Sequence, residues 1–210
     1  MADSTEYHVW DEMTKNFADK LPYEDNSLFA FLSAGLTATN YPFKDIKLKL
    51  LDVGCNLGLF DQIWVNAGFD TYGIDQITRA IDLAKQKVPE AHFEVMKAEN
   101  MQFNQEFDVV FTNTVLQHMK LDLKLQVLAK IYHALKVDGL FLMSECTFTK
   151  NNWNSVPGRS VYTHEVTDGY SYTQKSWIDL LSNLFRFEFI TKHPIHDWYL
   201  FKKRNNCYKK

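Results

Sequence analysis

The chain has 210 residues, 46% of them hydrophobic and 23% charged, enough to bury a substantial core within one domain. Its 23 Lys and Arg against 26 Asp and Glu give a formal net charge of -3 and no global basic footprint, so nucleic acid is a poor default substrate. There is no apolar stretch long enough to span a bilayer and no basic start followed by an apolar segment; the expectation is a cytoplasmic protein without a membrane partner.

Cys55, Cys146 and Cys207 are widely spaced with no C-x-x-C pair, which predicts neither a zinc site nor a disulfide framework. Lys202, Lys203, Arg204, Lys209 and Lys210 read as a solvated cationic end. The first 45 residues combine Tyr7-His8-Val9-Trp10-Asp11 with an amphipathic pattern from about Asn26 to Ala38, and predict a helical addition to the body of the fold. Tyr7 and Trp10 either cover a site or pack in the helical layer, aromatic residues at helical spacing usually being core.

The run LLDVGCNLGLF at 50–60 is an apolar strand that ends in an acid and two glycines where a helical pattern begins. Gly54 can take backbone angles closed to other residues, and Gly58 lets the following helix approach the strand. Asp52, at the mouth of the strand, suits a ligand with positive charge and would repel a pyrophosphate. The dinucleotide spacing G-x-G-x-x-G fails, because Asn56 and Leu59 stand where its later glycines belong. Asn56 tolerates left-handed angles better than most residues, and Cys55 reads as a small residue filling the turn.

A second strand, TYGID, ends in Asp75, seventeen positions beyond Gly58, before a helix near residues 77 to 87. An acid there can accept from both ribose hydroxyls of an adenosine ligand, or cap the helix, and the two roles are compatible. The third apolar run, HFEVM, leads into Lys97-Ala98-Glu99-Asn100. FDVVFTN at 107–113 is apolar enough to be buried on both faces, and it runs into TVLQHM. A helix from about Leu123 to Leu135 is expected to stop at Lys136-Val137-Asp138-Gly139, a glycine terminus preceded by a cation, before strand LFLMSE ending in Glu145. Residues 147–173 have no clear periodicity, and a connection of that length is usually functional or disordered. Its aromatic content argues for order, and Arg159, Tyr162, His164, Tyr170 and Tyr172 are available to grip a polar acceptor. Thr173 then caps a helix through about Leu184, and FRFEFITKH with DWYLFKK form a hairpin around Pro194.

The D-x-G-x-x-x-G spacing from Asp52 to Gly58, the acid Asp75, the segments 97–100 and 113–118, and the succession of helix, K-x-D-G and apolar strand occur in an order that resembles the class I S-adenosylmethionine-dependent methyltransferases of small-molecule type, over roughly residues 48 to 146. The family pattern is usually D/E-x-G-x-G-x-G, so Asn56 replaces its middle glycine. The resemblance implies an α/β, Rossmann-like, seven-stranded and mostly parallel sheet of order 3-2-1-4-5-7-6, with the last strand antiparallel and helices on both faces. It implies one domain over 1–210: a helical cap at 1–45, a cofactor-binding core at 48–146, a substrate-facing insert at 147–173, and a last helix and hairpin at 174–204. S-adenosylmethionine is the cofactor so implied, cradled by Asp52, Gly54, Cys55, Asn56 and Gly58, with Asp75 and Gln76 at the ribose. Glu99 lies near the adenine amino group, with Ala98 and Asn100 as backbone or edge contacts. Asn113 and Thr114 open the segment that floors the methionine end, where backbone carbonyls accept from the ammonium group.

A sulfonium methyl is already electrophilic, so positioning the acceptor and excluding water are the main tasks of such a protein. His118, just past strand four, is the candidate general base, or else a rim histidine that shapes the pocket. Glu145 is the second candidate, as base or acceptor-orienting group, with loop hydrogen bonding as its alternative; His164, His193 and His196 follow. Close metal-ligand spacing is lacking, so no metal is expected, and no G-x-S-x-G elbow is present. The leading function is methyl transfer to an oxygen or nitrogen of a small polar metabolite, such as a sugar or surface-glycan precursor. Methylation of tRNA or protein is the second reading, and a non-catalytic adapter with the same fold the third.

Overall fold

Where the sequence alternates short apolar runs with amphipathic stretches, the chain alternates strands with helices. The computed structural model describes Phe31, Gly35 and residues 47–145, 173–192 and 196–205. In chain order these form β1 (Lys49–Val53), α1 (Leu59–Asn66), β2 (Asp70–Asp75), α2 (Thr78–Lys87), β3 (His92–Val95), β4 (Phe107–Asn113), α3 (Leu121–Ala134), β5 (Leu135–Glu145), α4 (Gln174–Leu181), β6 (Phe185–Thr191) and β7 (Asp197–Lys203). Single 3-10 turns at Ala98–Asn100 and Leu116–His118 follow β3 and β4.

The strands form one seven-stranded sheet of order β3-β2-β1-β4-β5-β7-β6. The pairings from β3 through to β5 are parallel, and β7 runs antiparallel to both β5 and β6. The order expected from the resemblance is therefore the observed one. Sequence direction across the sheet reverses between β1 and β4, which opens a crevice at their carboxyl ends.

Strand alternation divides the core in two. Leu51, Val53, Val110, Phe141 and Met143 face Val127, Leu128 and Ile131 of α3 and Trp177 and Leu181 of α4. On the other face, Leu50, Val109, Phe111, Leu140 and Leu142 meet Trp64 of α1. Burial on both faces explains β4, in which every residue from Phe107 to Thr112 is buried. In α3 the buried positions 124, 127, 128 and 131 follow the three-and-four spacing of one helical stripe. Phe31 and Gly35 are helical. The ring of Phe31 lies 4.8 Å from that of Phe189, and a Cβ on Gly35 would come within 2.3 Å of Leu200, so this part of the N-terminal addition packs closely on the hairpin.

Three local expectations are corrected. The K-V-D-G segment is no helix terminus: α3 ends at Ala134 and β5 begins at Leu135, carrying residues 136–139 within it. The left-handed residue there is Asp138 (φ 62), whereas Gly139 serves close packing, since a Cβ would lie 2.9 Å from the Lys136 carbonyl oxygen. Pairing shifts register at this point, between Phe107 and Val109 of β4. The last helix ends at Leu181 rather than near Leu184, although Thr173 caps it as expected: its hydroxyl accepts from the Ser176 amide at 3.1 Å, and the Ser176 hydroxyl accepts from the Thr173 amide at 2.7 Å.

Candidate active site

The glycine turn after β1 is built from left-handed residues. Gly54 (φ 79), Asn56 (φ 49) and Gly58 (φ 73) all take positive angles, so Asn56 supplies the conformation that the missing middle glycine would have supplied. The amides of Gly54 and Cys55 both donate to the Ile74 carbonyl, at 2.8 and 3.0 Å, anchoring the turn to β2. A Cβ on Gly54 would lie 2.5 Å from Val115, so the loop after β4 rests directly on this glycine. Gly58 does not serve contact with β1: its close neighbours are Phe93 of β3 (3.0 Å) and Ala84 of α2 (3.2 Å).

Asp75 ties the turn to the end of β2. Its Oδ2 accepts from the Asn56 amide at 3.1 Å and its Oδ1 from the Ile77 amide at 2.9 Å. The N-cap of α2 is Ile77, with no side-chain cap, so Asp75 stands outside the cap position and bonds the amide of the residue that fills it. A carboxylate has about four acceptor positions, so these amide bonds do not exhaust its capacity to accept from ribose hydroxyls. Burial raises the Asp75 pKa and the amides of Ile77, Asn56 and Gln76 oppose it. Gln76, Ala98 and Glu99 are half-buried on the same rim and Asn100 is exposed.

Asp52 is 2% exposed, and its carboxyl meets that of Asp61, on the first turn of α1. Burial pushes Asp52 well above the carboxylate range, helped by the charge of Asp61 and its hydrogen bond and then by Asp75; burial brings Asp61 up to about 7. The acid expected to suit a positively charged ligand is therefore one of a buried pair. Asp61 was missed, because an acid in the first turn of a helix reads as an ordinary complement to the helix dipole. Cys55 is buried beside Ile81 and Ala84, and burial followed by the charges of Asp61, Asp52 and Asp75 raises its thiol well above the usual range. It fills space in the turn, where burial disfavours the thiolate.

Beyond β4, Asn113 and the left-handed Thr114 (φ 55) lead into the 3-10 turn, and the Thr114 amide donates to the Ser144 carbonyl at 2.7 Å. Glu145, fully buried at the end of β5, holds this segment: Oε1 accepts from the amides of Val115 (3.2 Å) and Leu116 (2.9 Å), and Oε2 from that of Gln117 (3.1 Å). Of the two readings of Glu145, this geometry favours loop hydrogen bonding over a base or acceptor-orienting role, since both its oxygens are engaged by the loop and it is 0% exposed. Burial pushes its pKa up to about 8, against the three amides and Lys124. Lys124, also missed, is 1% exposed with its ammonium 5.0 Å from the centre of the Trp177 ring.

His118 is half-buried at the end of the same turn, with Nε2 3.2 Å from Gln117 Nε2. An amide nitrogen only donates, so His118 Nε2 accepts and the ring proton sits on Nδ1. Burial, then the charge of Lys124, lowers its pKa to about 4, which keeps it neutral throughout the physiological range. Arg159, Tyr162, His164, Tyr170 and Tyr172 lie outside the described residues, as do Tyr7, Trp10 and His193. Among the described residues no group of three or more His, Cys, Asp or Glu is placed to hold a metal, and no helix is long and apolar enough to cross a membrane.

Comparisons with known proteins agree with this geometry. Residues 51–143 match the family model described as a methyltransferase domain. The chain is 29% identical over 133 residues to a phosphoethanolamine N-methyltransferase of Plasmodium falciparum, covering 58% of this chain and 50% of that protein. It is 31% identical over 106 residues to a ubiquinone biosynthesis O-methyltransferase of Haemophilus ducreyi, covering 46% of this chain and 44% of that one. The chain thus spans about half the length of the curated relatives it matches. Among solved structures, the N-methyltransferase NodS of Bradyrhizobium japonicum, in complex with S-adenosyl-L-homocysteine, superposes with a TM-score of 0.69 at 15% identity, over 94% of this chain and 97% of that one. In motif order, in strand order and over the matched segment this chain resembles the class I S-adenosylmethionine-dependent methyltransferases, whose fold it has.

Proposed function

We propose that the protein transfers a methyl group from S-adenosylmethionine to an oxygen or nitrogen of a small polar metabolite, with a sugar or surface-glycan precursor as one such acceptor. The observation that carries this reading is the rim itself: a left-handed turn anchored by Asp75, with acids and, among the described residues, no paired cation at its base, opening at the crevice between β1 and β4. That donor set suits ribose hydroxyls and a cationic methionine end and disfavours a pyrophosphate. The cofactor supplies an electrophilic methyl group when bound. The protein supplies placement: Asp75 orients the ribose, Ala98, Glu99 and Asn100 border the adenine, and the carbonyls of Asn113 and Thr114 receive the ammonium group.

His118 is the group that takes the acceptor's proton where the acceptor is a hydroxyl, with the acceptor displacing Gln117 from the Nε2 lone pair. The ring is neutral at physiological pH, and its low pKa makes the transfer a late one. The names of the two relatives, one an N- and one an O-methyltransferase of small metabolites or precursors, support the same acceptor class. The formal net charge of -3 makes RNA a weaker candidate. A screen of phosphorylated amino alcohols, phenols, sugars and nucleotide sugars, read by S-adenosylhomocysteine formation, tests the proposal. Turnover with one of these classes supports it; turnover only with tRNA or a protein refutes it.

A further inference from the structure

Asp61 is 0% exposed, and neither of its carboxyl oxygens has a donor in good hydrogen-bond geometry, only its own amide and the Asp52 carboxyl bearing on it; Oδ2 of Asp52, which is 2% exposed, likewise lacks a well-placed donor. The sheet makes room for them. Asp52 pairs in register with Gly73, and a Cβ on Gly73 would lie 2.9 Å from Asp61 Oδ1 and 2.6 Å from the Phe93 ring. The other titratable groups facing the pair are Cys55 in the turn and Asp75 of β2, while β4 and β3 present Phe111 and Phe93 and α2 packs Ile81 and Ala84 beside Cys55. Among the described residues no lysine, arginine or histidine forms an ion pair with Asp52 or Asp61. Two touching carboxyls in such a place cannot both be ionised, and a proton between them satisfies the oxygens that face each other.

We propose that Asp61 is a positioning residue for the cofactor: Asp52 and Asp61 hold one proton between them in the ligand-free protein, and arrival of the cationic end of the cofactor drives that proton into solvent. The pair thereby gains one negative charge beside the incoming positive charge, and the released proton passes to bulk water, so charge balances. Gly73 serves this arrangement by leaving the space that the Asp61 carboxyl occupies. The inference rests on the cofactor crevice described above. It adds that affinity for S-adenosylmethionine rises with pH through the neutral range, by at most about tenfold per pH unit for one linked proton.

Calorimetric titration of the whole chain with S-adenosylmethionine, in two buffers of different ionisation enthalpy at several pH values, reads the released proton directly. Wild type is expected to release a measurable fraction of a proton per ligand around neutrality, and Asp61→Asn to release less, with a flatter affinity profile. Infrared spectroscopy of the ligand-free protein is expected to show a protonated carboxyl band that shrinks in Asp61→Asn. Binding by wild type with no proton release, or the same release in both proteins, overturns the shared proton and leaves the crevice intact. Absence of any binding by folded wild type overturns the crevice and the shared proton together.

Discussion

Replacing Glu145 tests whether β5 holds the loop that covers the cofactor turn. In Glu145→Gln one side-chain oxygen remains, enough for the amides of Val115 and Leu116, but an NH2 group faces the Gln117 amide, now 3.1 Å from Oε2. A buried amide left without an acceptor costs about 1–3 kcal/mol. In a chain of 210 residues each kcal/mol moves Tm by roughly 2–4 °C, which puts the Gln variant on the order of 4–8 °C below wild type for a loss near 2 kcal/mol. Glu145→Ala strands all three amides and leaves buried Lys124 without its carboxyl neighbour, for a loss of about twice that or more. The pH dependence gives an independent check. The folded pKa of Glu145, about 8 against 4.5 for the free side chain, means that its protonated form is favoured in the fold. Its contribution is complete below pH 4.5 and is lost as pH rises through 8, so the Gln variant flattens that part of the Tm profile. Because Val115 rests on Gly54, a displaced loop also weakens cofactor affinity. Thermal melts over pH with calorimetry of cofactor binding measure all of this. A Gln variant matching wild type in both Tm and affinity refutes the reasoning.

The remaining predictions concern the turn and the proton acceptor. Asp75→Ala removes the acceptor of the Asn56 and Ile77 amides together with the ribose contact, and lowers cofactor affinity by about 100-fold, equivalent to about 3 kcal/mol; undiminished affinity in calorimetry removes the assignment. His118→Ala lowers kcat by about 100-fold or more while cofactor affinity holds. Since the pKa of His118 is near 4, the wild-type rate shows no histidine limb near 6.5, and a limb there that disappears in the variant contradicts its assigned environment. Gly73→Ala forces its methyl against Phe93 and Asp61 and destabilises by about 1–3 kcal/mol; chemical denaturation giving wild-type stability shows that no such packing exists.

What the sequence made legible was what depends on neighbours along the chain. Strand β4 was placed at its observed bounds because an apolar run of that length has no exposed face to interrupt it. The left-handed turn was legible from Gly54, Asn56 and Gly58, whose residue types are the ones that take those angles. Strand order is a long-range property and came from the resemblance alone. Local rules placed the end of α3 within one residue but took residues 136–139 for its glycine terminus, whereas these residues lie inside β5 and the left-handed one is Asp138. Asp61 and Lys124 were illegible for a different reason. Each occupies a helical position where a charged residue is unremarkable, and only the packing of α1 on β2, or of α3 on α4, makes it a buried one. Glu145 was singled out with loop hydrogen bonding as one of its two readings, but its three amide partners lie about thirty positions away in sequence, so which loop it holds emerged only from the fold.

A crystal structure of the protein with S-adenosylhomocysteine tests the central claim most directly. The ribose hydroxyls are expected on Asp75, the adenine beside Glu99, and the amino-acid end over the segment that begins at Asn113. An empty crevice at saturating ligand, or the same crevice filled by a nicotinamide dinucleotide or a nucleoside triphosphate, contradicts the account.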